Sequence, residues 1–127
     1  MNPKSKIILA VVVGAAMGAA AVQGLHAQAK PKAYTVSELE TIAAAAQAVY
    51  VPHIIAAQTA AGARNFNTAG GRTVAMIGTA PKRVAIVEWD SLEKAEAFYK
   101  SQAWNALAAE RDKAVKQVRR YSVEALK

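Results

Sequence analysis

Cysteine is absent from the chain's 127 residues, which excludes disulfide staples, thiolate zinc sites and thiol catalysis. Histidine occurs twice, as His26 and His53, too few for an imidazole-based metal centre, so no metal and no cofactor is expected. Aromatic residues make up 6% of the chain, and proline is limited to four positions. Acidic residues are the scarcer sign of charge, 9 against 16 basic, for a formal charge of +7. The length suits one small domain whose stability comes from packing alone. There is no G-x-S-x-G, no phosphate-loop glycine pattern, no H-E-x-x-H and no dinucleotide fingerprint, so the common hydrolase, nucleotide and zinc-protease classes have no support.

What is present begins with an address. Lys4 and Lys6 precede an uncharged apolar run from Ile7 to Val22, and Ala27-Gln28-Ala29 places small residues two apart, the three-part pattern of a secretory signal over residues 1–29. A membrane anchor is the competing reading. Sixteen helical residues reach about 24 Å, short of the roughly 30 Å hydrocarbon core, and Gly14 and Gly18 weaken the helix. Export to the periplasm with cleavage after Ala29 is the expectation. It would leave one domain over residues 30–127 at +5, with Lys4 and Lys6 gone and His53 as its single imidazole.

The mature part reads as β-α-β-β-α-β. Ala33 to Glu40 alternates as a strand, with Tyr, Thr and Val favouring extended backbone. Ile42 to Ala61 is alanine-rich, with apolar stripes at helical spacing that include Ala46, Val49, His53 and Ala57; Pro52 should kink or restart it near Val51, and Gly62 should end it. Arg64 to Gly78 suggests an irregular hairpin with Thr73 to Ile77 as a strand. Arg83 to Trp89 is the strongest strand and is apolar on both faces, so its second face should meet another sheet or subunit. Asp90 or Ser91 caps a second helix, Ser101 recaps its continuation, and Val118 to Ala125 closes the sheet. This is a ferredoxin-like α+β fold, a four-stranded antiparallel sheet with two helices on one face.

The residues resemble the bacterial family known as domain of unknown function 1330 (DUF1330), of the dimeric α/β-barrel group. The resemblance runs from about Ala33 to Leu126 on Tyr50-Val51-Pro52, Gly62-Ala63-Arg64, Gly70-Gly71-Arg72, Pro81-Lys82-Arg83 with the strand to Trp89, Asp90 to Ala95, Phe98 to Ser101 and Tyr121 to Glu124. It departs at Thr41-Ile42, where an Asp-Pro often starts the helix, at Ala63 in place of a glycine, and in a longer segment near Asn65 to Ala69. The resemblance implies a homodimer formed through the sheet and no established reaction, since relatives in the wider group include cofactor-independent monooxygenases, haem-degrading enzymes and isomerases.

The candidate chemistry is sparse. His53 is the natural general acid or base, and Glu88, sharing a strand face with Val84 and Ile86, gains from desolvation as a proton-transfer group; each also reads as an ordinary packed or strand-end residue. Arg64 and Arg83 suit a carboxylate or phosphate, or pair with Glu88 and Glu124. Tyr50, Tyr99 and Trp104 suit the apolar walls of a helix-to-sheet cleft, or plain core. The basic tail from Arg111 to Arg120 is interrupted by Asp112, and nucleic acid is not expected as a partner. Three readings follow: a domain binding a small anionic or aromatic molecule in the cleft, a cofactor-independent oxygenase or isomerase with His53 as base, and a structural or stress-associated dimer without a ligand.

Overall fold

The alternation in Ala33 to Thr41 sorts its side chains by face, and the sheet built around that strand keeps the sorting throughout. The computed structural model describes residues 29–127, of which Pro31–Lys127 forms one unit. The secretory pattern lies outside the described residues. Among the described residues, no helix is long and apolar enough to cross a membrane.

The elements are β1 (Ala33–Thr41), α1 (Ala44–Ala60), β2 (Arg64–Asn65), β3 (Arg83–Trp89), α2 (Leu92–Tyr99), α3 (Gln102–Asn105), α4 (Ala108–Ala114) and β4 (Val115–Glu124). Strand order is β2-β3-β1-β4 and every pairing is antiparallel. The fold is ferredoxin-like, as the sequence order of elements implies. The second helical stretch, expected as one helix with a recapped continuation, is three short helices. Ser91 caps α2 by accepting from the Lys94 amide at 3.2 Å, and Ser101 caps α3 by accepting from the Trp104 amide at 3.3 Å.

Ala33, Thr35, Ser37 and Leu39 of β1 and Ala85, Val87 and Trp89 of β3 point to the helices. Ala33, Val87 and Trp89 join Tyr50, Ile54, Ala95 and Phe98 in the core. Burying such side chains contributes roughly 1.5–3 kcal/mol each for the larger ones, which is how a chain without cross-links holds its fold.

Several local expectations are corrected. α1 runs through Pro52 as one element rather than restarting at Val51. Its buried side is Gln47, Tyr50, Ile54 and Gln58, while Val49 and His53 face solvent, because the two amides find hydrogen-bonding partners inward and Tyr50 packs into the core. Gly62, at φ +86°, ends the helix: its amide donates to the Thr59 carbonyl and the Ala63 amide to the Gln58 carbonyl, the paired bonds of a glycine stop. Only Arg64–Asn65 forms the second strand, and Thr73 to Ile77 is a loop in which Met76 and Ile77 are 88% and 98% exposed. The Thr68 hydroxyl takes the Val84 carbonyl and the Ile86 amide, edge groups of β3 that a longer second strand would have paired.

The far face of the sheet carries Tyr34, Val36, Val84, Ile86, Tyr121 and Val123, and no described helix covers it. Tyr121 and Val123 are about half exposed, at 47% and 53%.

Candidate functional site

Between α1 and the helix-side face of the sheet lies a cleft enclosing about 70 Å³. Its apolar walls come from Leu39, Ile54, Ile55, Val87 and Val115, positioned by strand alternation on one side and by the i, i+4 spacing of Tyr50 and Ile54 on the other. Tyr50, Tyr99 and Trp104 also line it, where the sequence placed them. The Tyr99 ring meets Trp104 edge-on at 4.9 Å and Trp89 at 6.0 Å, so the aromatic wall is fixed by mutual contact. Burial pushes the phenols of Tyr50 and Tyr99 above their ordinary range, keeping both protonated and able to donate at neutral pH.

The charge in the cleft is Arg120, on β4. Its Nε donates to Ser37 Oγ at 2.9 Å and its Nη2 donates to Gln117 Oε1. The guanidinium carbon sits 4.5 Å from the ring centres of both Tyr99 and Trp104. Burial pulls its pKa below the usual arginine value, yet an arginine stays cationic at any physiological pH. None of the ion pairs of the described residues involves Arg120, and no acidic side chain lines the cleft.

Five amide side chains also line it, Gln47, Gln58, Asn65, Asn67 and Gln117, and the oxygens of four already accept within the protein. Gln47 Oε1 accepts from Thr41 Oγ1 at 2.8 Å, Gln58 Oε1 from Asn65 Nδ2 at 3.0 Å, and Asn65 Oδ1 from the Asn67 amide at 2.7 Å, while Gln117 serves Arg120. What these four have left to offer are N–H donors. A cleft with a cation, donors and apolar walls, and without a carboxylate, suits an acceptor-rich anion with a hydrocarbon body.

The other predicted site residues do not join it. His53 lies on the exposed side of α1, its Nδ1 2.7 Å from Glu110 Oε2 of α4. Arg64 and Glu88 oppose each other across β2 and β3 on the far side of the sheet, 3.9 Å apart. Glu88 is only 17% exposed there, accepting from the Tyr34 hydroxyl at 3.0 Å with Lys32 3.7 Å away, while Arg64 lies over the Phe66 ring at 4.5 Å. Arg83 donates to the Ala69 carbonyl at 3.0 Å and so holds the loop at the cleft's rim. The sequence thus gathered at one point four polar residues that the fold disperses to three places, because helix phase and strand parity send them different ways. No group of three or more histidine or acidic side chains suited to a metal occurs among the described residues.

Arg120, Gln47, Gln58 and Asn65 are the site residues that the sequence did not single out. Arg120 had one legible signal: it shares strand parity with Ser122, opposite Tyr121 and Val123. The bulge between Glu38 and Leu39 that also turns Gln117 inward had none.

An antiparallel sheet in this order, with its helices on one side and a cleft between the layers, defines a ferredoxin-like α+β domain. The chain belongs to the family described as Domain of unknown function (DUF1330), whose model matches residues 32–125. The fold is shared with the crystal structure of a protein of unknown function from Rhodopseudomonas palustris, at 15% identity and a TM-score of 0.61, over 77% of this chain and 85% of that one. The methylated form of that protein matches at 16% and 0.60, over 77% and 83%. Comparison with curated proteins gives no match.

Proposed function

We propose that this domain binds a small anionic molecule in the helix-to-sheet cleft, as an exported homodimer that meets its partner through the open face of the sheet. One observation carries the ligand reading: a half-buried guanidinium, Arg120, faces a cleft that holds no carboxylate. A desolvated cation is costly without a counter-ion, and an anionic ligand supplies one. Support for the dimer is the apolar far face, with Ile86, Tyr121 and Val123 around a few paired charges such as Arg119 and Glu38 at 2.7 Å. The acid–base alternative has less support, since His53 is outside the cleft and its titratable lining is two phenols with Arg120.

Native mass spectrometry of the protein recovered from the periplasm tests the whole reading. The expected species is a dimer lacking residues 1–29 and carrying a reproducible small-molecule mass that disappears in Arg120→Met. A bare monomer of full length would contradict it.

A further inference from the structure

We infer that the cleft selects a short aliphatic monocarboxylate, held by its carboxylate at Nη1 of Arg120 with its hydrocarbon tail against Ile54 and Val87. The inference rests on the anion-binding reading and names its ligand class.

Three features of the cleft narrow the class. The first is charge. Arg111 is the other buried guanidinium nearby, but it stacks on the Trp104 ring at 3.7 Å, donates from Nη1 to the Trp104 carbonyl at 3.1 Å, and does not line the cleft. One cation therefore faces the ligand. A dicarboxylate or phosphate dianion would bring a second charge into an apolar enclosure with nothing to neutralise it.

The second is donor geometry. With Nε on Ser37 and one Nη2 hydrogen on Gln117, the two Nη1 hydrogens and the second Nη2 hydrogen are the guanidinium donors left for a ligand. Three donors from one guanidinium match the two oxygens of a carboxylate and fall short of the full set around a phosphate.

The third is size. An engineered apolar cavity of about 150 Å³ takes a benzene ring, and the 70 Å³ of this cleft is under half of that. Such a space suits a short aliphatic chain and not an aromatic ring. Ile54, Leu39 and Val87 give such a tail apolar contact on both the helix and the sheet side.

Isothermal titration of the purified protein with butyrate, butyramide, succinate, benzoate and inorganic phosphate is the test. Butyrate is expected to bind one molecule per subunit, with each of the others at least about tenfold weaker, and Arg120→Met to weaken butyrate by a similar factor. His53→Ala should leave butyrate binding unchanged. Should Arg120→Met fail to fold, the comparison of butyrate with its neutral amide on the unaltered protein carries the same information, and Arg120→Lys keeps the charge while removing the fork. Succinate, phosphate or benzoate binding as tightly as butyrate would overturn the monocarboxylate assignment and leave an anion site standing. Butyramide matching butyrate, or no binding by any probe, would overturn the anion reading as well.

Discussion

The indole N–H of Trp89 donates to the Thr35 hydroxyl oxygen at 2.9 Å, with both residues almost fully buried. That hydroxyl also lies 2.7 Å from Ser122 Oγ, so one polar chain crosses β3, β1 and β4 beneath the aromatic cluster. It fixes the Trp89 ring against Phe98 at 5.1 Å, and through the Tyr99 ring it sets the back wall of the cleft. Replacing the hydroxyl without changing its volume, in Thr35→Val, leaves a buried indole donor unpaired. The expected cost is about 1–3 kcal/mol in urea unfolding, against little change in Ser122→Ala, where the Thr35–Trp89 bond survives. Equal losses in the two variants would show that the bond to Trp89 is not the dominant link.

His53→Ala should be nearly silent. The His53–Glu110 pair is 52% and 40% exposed at the side chains, and solvent screens such pairs, so the change in unfolding free energy is expected within about 1 kcal/mol. Ligand retention should be unaffected, because the ring is outside the cleft. A large loss of ligand binding with an intact fold would return His53 to the site.

Alkaline pH should destabilise the fold through the two buried phenols. Tyr50 and Tyr99 are raised above the ordinary value of 10.0, chiefly by burial. With the folded pKa the higher, the unfolded chain ionises first, so stability is intact below pH 10 and falls as pH rises through the folded values. Thermal melts from pH 8 upward should steepen in their decline above about 10. The Tyr50→Phe/Tyr99→Phe variant should be flatter there, and parallel curves would contradict the burial of these groups.

A charge placed on the far face of the sheet should dissociate the dimer without unfolding the subunit. Ile86→Lys and Tyr121→Glu put unpaired charge where two apolar faces are proposed to meet, and sedimentation should then give monomers with unchanged far-ultraviolet circular dichroism. Dimers surviving both substitutions would place the interface elsewhere.

Much of this architecture was legible because strands and helices announce themselves by period. The both-sided apolar strand Arg83 to Trp89, the serine caps at Ser91 and Ser101 and the glycine stop at Gly62 are local signals, and the structure keeps each of them. The inner face of α1 was not legible by hydropathy, since Gln47 and Gln58 point inward while Val49 points out. Only tertiary partners, Thr41 and Asn65, make that orientation favourable. Val74, Met76 and Ile77 have the composition of a strand yet lie in a loop, since β-propensity means little without a partner strand. In the site, aromatic positions followed from helix phase and Arg120 from its parity with Ser122, whereas Gln117 depended on a bulge in β1–β4 pairing that no local pattern encodes.

The most direct measurement of the central claim, that Arg120 in the helix-to-sheet cleft receives an anion, uses the chain's two tryptophans. Proton–nitrogen NMR spectra of the labelled protein titrated with butyrate give two indole signals, Trp104 in the cleft wall and Trp89 behind it. The account predicts that the Trp104 indole and the Arg120 Nε–H move together and saturate, while Trp89, Arg64 and the far face of the sheet stay still. Shifts centred on Arg64, Glu88 and Tyr34, or none at Trp104, would contradict it.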